Sequence, residues 1–166
     1  MKVLVAYLSE TGNTEKLAQA IFNSLSSGEK ELLPLEKVTG LDDYDLIFCG
    51  FPVQAHSVPK KASHFIKSIP KGKKVAFFAS HGSQRGGEFA VTAFHHAVSL
   101  SSDLKVLGTF GSRGRVKMQL VEALSKQLEH RAWAEEASNA ATHPDEADLK
   151  DAADFARGII IKARAS

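Results

Sequence analysis

Five short apolar runs, four of them followed by a stretch of helical periodicity, constrain this chain more than any other feature. The runs are KVLVAYL (2–8), KELLPLEKV (30–38), YDLIFCGF (44–51), KKVAFFAS (73–80) and LKVLGTFGS (104–112). Between them TEKLAQAIFNSL sets Leu17, Ala18, Ile21 and Leu25 on one helical face. VPKKASHFIKSI and EFAVTAFHHAVSL read as two further helices. Val116, Leu120, Leu124 and Leu128 recur through a polar stretch, which predicts one helix from Val116 to about Ala137. HPDEADLKDAADFARGIII predicts a last helix, with Pro144 at its first position and acids in its first turn. Pro34 lacks an N–H, so the second run belongs at a sheet edge, whereas the third and fourth are apolar enough to be covered on both faces.

Strands alternating with helices fold as an α/β, three-layer, doubly wound parallel sheet. Ligands of such sheets bind outside the carboxyl ends of the strands, where strand order reverses. The loops to inspect are therefore 9–14, 51–59, 80–88 and 112–116. At 166 residues, with no linker or repeat, the chain is expected to form a single domain over 1–166.

The first of these loops, SETGNT (9–14), joins a strand to a helix. Its hydroxyls, its amide and the exposed backbone N–H groups surround one small volume. The positive end of the helix dipole favours an anion there, and Gly12 permits close backbone approach. This describes a phosphate cradle without a cation. A tight turn with Thr11 or Asn13 as N-cap is the competing use of the same residues. Neither the GxxxxGK[ST] loop nor GxGxxG is present.

The SETGNT loop resembles the Ser/Thr-x-Thr-Gly-x-Thr phosphate loop of the flavodoxin family, and the likeness extends over essentially the whole chain. GFPVQAHSVPKKASHFI is similar to the family's second flavin loop, and ASHGSQRGGEFAVTAF falls where the third belongs. The resemblance implies strand order 2-1-3-4-5 and FMN as cofactor. It implies that Ser9, Thr11, Gly12, Asn13 and Thr14 hold the FMN phosphate, with Glu10 in the same loop. Pro52, Val53, Gln54, Ala55 and His56 would border one side of the flavin ring, and Ser80, His81, Gly82 and Ser83 the other. No catalytic residue follows from it.

Two departures from plain electron carriers of that family stand out. No Trp or Tyr falls in the second or third loop; Trp133 lies in a late helix, and the tyrosines are at 7 and 44. Arg85, Arg113 and Arg115, with Lys60 and Lys61 near, predict a basic rim at the flavin end. The expected function is electron transfer by an FMN-binding protein. The alternative is an FMN-dependent NAD(P)H or quinone-type reductase acting on a small organic acceptor. The partner is accordingly a redox protein or such an acceptor, and the chain a monomer or homodimer.

Other classes fit less well. A net charge of +2 without a Lys/Arg block argues against nucleic acid. No apolar stretch approaches the roughly 18 residues of a membrane span and no signal sequence is evident, so a cytoplasmic location is expected. A low-molecular-weight phosphatase needs Arg six positions after its Cys, where Cys49 has Ala55. A receiver domain needs acids at the end of the first strand, and no GxSxG elbow occurs. Cys49 reads as a buried strand residue, and the seven histidines show no pair with metal-ligand spacing.

Overall fold

In a computed structural model, residues 1–26, 28–83 and 87–166 are described, Phe89 by its backbone alone. The five strands β1 (Val3–Tyr7), β2 (Lys30–Pro34), β3 (Leu46–Pro52), β4 (Lys74–His81) and β5 (Lys105–Arg113) form one sheet in the order β2-β1-β3-β4-β5. Every pairing is parallel. Pro34 stands at the end of the edge strand, opposite Tyr7, where its missing N–H breaks no interior ladder. The ladder stops there and Leu35–Lys37 turn into a 3-10 helix, so the second run is strand only as far as Pro34.

Alternation along β1 sends Leu4 and Ala6 to one face and Val3, Val5 and Tyr7 to the other. Helices α1 (Asn13–Ser24) and α6 (Glu146–Ala165) cover the second face with Leu17, Ile21, Ala152, Ala156 and Ile159. Helix α2 (Lys60–Ser68) covers the first with Ala62, Phe65 and Ile66. Helix α3 (Glu88–Ser99) adds Ala97 there. Cys49 lies wholly buried on β3, and burial pushes its thiol up to about 12, which suits packing and not nucleophilic attack.

Two expectations about the C-terminal third need correction. The single helix over 116–137 is instead α4 (Met118–Ser125), a 3-10 turn (Leu128–His130) and α5 (Arg131–Ser138). An apolar residue every fourth position drifts about 40° per step around a helix of 3.6 residues per turn. The stripe from Val116 has therefore rotated off the packed face by Leu128, which is 80% exposed. Gln127 is extended, and after the break Ala134 and Ala137 return to a small cluster with Val121, Val116 and Trp133.

Pro144 lies one residue before the N-cap of α6, not inside the helix. The cap is Asp145, whose side chain accepts from the Asp148 N–H while Asp148 accepts from the Asp145 N–H, each at 3.0 Å. His143 Nδ1 sits 2.5 Å from Asp148 Oδ2. Sequence spacing does not flag this grouping of one histidine and two acids, because it forms around a helix start. Its carboxylates are engaged in capping.

Candidate functional site

The cavity at the carboxyl end of the sheet is built from four strand ends. Helix α1 begins there, with Gly12 as its N-cap at φ 87°, in the left-handed region that glycine adopts without cost. Glycine has no side chain to cap the helix, and among the described residues no side-chain cap bond is present. The N–H groups of Asn13, Thr14 and Glu15 open the first turn and have no intrahelical carbonyl to bond. The first α-helical bond is the one from Lys16 N–H to Gly12 C=O.

Neither residue that the sequence offered as N-cap, Thr11 or Asn13, takes that place, which falls to Gly12. Asn13 Nδ2 donates to the Arg115 carbonyl at 2.8 Å, and Thr14 Oγ1 lies 2.8 Å from Ser80 Oγ in the interior. Ser9 Oγ accepts from the Gly12 N–H at 3.1 Å. Glu15 sits in the first turn, and its carboxylate accepts from the Tyr7 hydroxyl at 3.0 Å. Burial first, and then that carboxylate, pushes the Tyr7 hydroxyl up. Thr11 is exposed and directs its hydroxyl to no protein group among the described residues.

Beyond β3 the chain turns tightly at Ala55 and His56, with φ of 46° and 61°. Gln54 and Ser57 exchange both backbone hydrogen bonds across this turn, at 3.1 and 2.9 Å. Two successive left-handed residues are the geometry of a type I′ turn, which Asn-Gly fills easily and Ala-His fills under strain. Neighbours hold it in place. Gln54 Nε2 donates to Glu10 Oε1 at 2.8 Å, which ties the second loop to the first. On the other side His96 Nδ1 lies 2.5 Å from Ser57 Oγ, and the Val53 N–H donates to the Ser80 carbonyl at 2.9 Å.

The third loop follows β4. His81 is buried, with Nδ1 2.9 Å from the Ser83 carbonyl. At Gly82 a Cβ would fall 2.6 Å from Val116 Cγ2 and 3.6 Å from the Trp133 ring, so only glycine lets the segment after β5 pack this closely. That segment closes the site. Arg115, Val116 and Lys117 line the cavity, as do Leu120 and Leu124 of α4 and Trp133 of α5.

The cavity encloses about 530 Å³. Of the sequence-predicted residues, Glu10, Thr11, Asn13, Pro52, Val53, Gln54, Ala55 and His56 line it, as do Ser80, His81, Gly82 and Ser83. Ser9, Gly12 and Thr14 do not; they shape the loop from behind. Sequence reasoning flagged loop 112–116 but missed the wall from 117 to 133, because it placed Trp133 on a single helix away from the loops. The position of that helix behind loop 112–116 was the available signal.

Among the described residues the basic rim is smaller than expected. Arg115 reaches the cavity and Lys117 joins it, but Arg113 donates to the Glu136 carbonyl at 2.9 Å and does not line it. Lys60 and Lys61 begin α2 outside the cavity. Arg85 lies outside the described residues.

The fold and the sequence both match known proteins. A family model described as Flavodoxin domain matches residues 4–157. The flavodoxin-like domain-containing protein BilS of Clostridioides difficile is 30% identical over 175 residues, covering 98% of each chain. Among solved structures, a flavodoxin from the domain Archaea superposes with a TM-score of 0.64 at 19% identity, over 99% of each chain. A flavoprotein of Lactobacillus acidophilus, solved in complex with FMN, gives 0.54 at 19% identity over 66% of this chain and 92% of its own.

Proposed function

Because the chain belongs to the flavodoxin family, we propose that it binds FMN at the carboxyl end of its sheet and carries electrons to a redox partner protein. The observation that carries this reading is the start of α1: its first N–H groups have no intrahelical acceptor, Thr11 and Asn13 beside them line the cavity, and among the described residues the Ser9, Asn13 and Thr14 side chains are bonded elsewhere. An anion is what such a helix end is short of. Phosphate also fits the donor set, which is backbone N–H plus one hydroxyl and needs no lysine.

In this reading the backbone of 11–15 and the Thr11 hydroxyl bind the phosphate. Ser9, Gly12, Asn13 and Thr14 fix the loop that presents those donors. Pro52 to His56 border one side of the flavin, with the strained Ala55–His56 turn held by Glu10, Gln54 and His96. Ser80 to Ser83 border the opposite side, and Trp133 supplies the aromatic surface that the loops lack. FMN, when bound, supplies a centre that accepts and releases electrons. The protein's part is to hold it, to exclude water from one face, and to leave an edge open to a partner. Among the described residues no helix is long and apolar enough to cross a membrane.

Electron transfer is tested by reducing the FMN-loaded protein and mixing it with a haem protein acceptor, where rapid reoxidation of the flavin is expected. The same protein given NAD(P)H and a quinone is expected to show no turnover. Sustained NAD(P)H oxidation would instead place the chain with the flavin-dependent reductases.

A further inference from the structure

A second cavity, of about 300 Å³, opens beside the first and shares Thr11, Arg115, Val116 and Lys117 with it. We propose that this cavity takes an adenylate group, placed next to the flavin phosphate. The inference rests on the phosphate reading of the 9–14 loop. Three features point to it together.

The first is continuity. The cavity includes Thr11, the exposed residue of the phosphate loop, and continues along Met118 and Val121 of α4 and Ala137 and Ser138 of α5. Its volume is at the lower end of small-molecule pockets. The second is shape. Its remaining walls are apolar or small: Met118 and Val121 from α4, Ala137 and Ser138 from α5, and Ala141 just beyond it. Aliphatic and small side chains give this cavity a largely apolar lining, which suits the face of a base. The third is charge. Arg115 and Lys117 stand at the junction of the two cavities, where a phosphate attached to that base would lie. An arginine fork matches phosphate oxygens, and a lysine adds a point charge.

A simple inorganic anion would have no use for the apolar slot, and an apolar ligand would have none for the two cations. A nucleoside phosphate uses both. The adenylate has two possible sources. It is either joined to the flavin phosphate, as in FAD, or it belongs to a separate nucleotide that binds alongside FMN.

The test is calorimetric titration with FMN, with FAD, and with 5′-AMP, the last against both flavin-free and FMN-loaded protein. Each is repeated on Ala141→Trp, which adds bulk to the second cavity from an exposed position that does not line the first. A thermal melt of the variant confirms that it folds. If the adenylate is attached, FAD binds at least about tenfold tighter than FMN, and the variant loses that gain while keeping its FMN affinity. If it is separate, FAD shows no gain but AMP binds wild type and not Ala141→Trp. The inference is overturned if FAD gains nothing and AMP binds neither form, or if Ala141→Trp leaves a gain intact. FMN failing to bind overturns the proposed function instead, and AMP with flavin-free protein still decides the inference.

Discussion

Thr11 and Thr14 lie three positions apart in the same sequence motif, yet the structure gives them different work. Thr14 is 1% exposed and its hydroxyl is spent on Ser80, 66 positions away in sequence. Thr11 is exposed and faces the cavity. Thr11→Ala is therefore expected to leave the melting temperature unchanged while FMN affinity falls about ten- to hundredfold, since a hydrogen bond to a charged group is worth roughly 1.5–3 kcal/mol. Thr14→Val strands the buried Ser80 hydroxyl and is expected to cost about 1–3 kcal/mol of stability. Urea melts and FMN titrations of the two variants check both. The loop itself was legible in the sequence. The division of labour was not, because Asn13 and Thr14 find their partners in Arg115 and Ser80, which only the fold brings near. The Ala55–His56 turn was equally hidden, as it carries none of the glycine or asparagine that normally announces a type I′ turn.

Among elements, the strands and the helices between them could be read directly, because each buries one regular stripe against the sheet. The segment from Met118 to Ser138 could not. Its apolar spacing of four drifts around the helix, and its burial is shared among α4, α5 and the third loop through Val116, Gly82 and Trp133. That packing brings the chain's single Trp to the cavity. Bound FMN is expected to be strongly quenched in the native protein, because an indole in contact with a flavin donates an electron to its excited state. Trp133→Leu should raise the emission of bound flavin severalfold and weaken binding about two- to tenfold, in line with roughly 0.5–1.5 kcal/mol for an aromatic contact. Flavin fluorescence lifetimes measured at saturating protein check this. Unchanged lifetimes would mean that Trp133 does not touch the ring.

For the whole molecule, the sheet order places β1, β3, β4 and β5 so that the loops after them open on one end, and the site follows from that topology. A ligand bound there contacts every one of those loops at once, so occupancy stabilises the folded state by mass action. The central claim is that the uncapped start of α1 is a phosphate site, which makes the phosphate the main source of affinity. Equilibrium titration of the flavin-free protein with FMN and with riboflavin, which differ only in that group, tests it most directly. The account predicts one FMN per chain and riboflavin weaker by about a hundredfold or more, the worth of one to two charged hydrogen bonds. Equal affinity for the two flavins would contradict it.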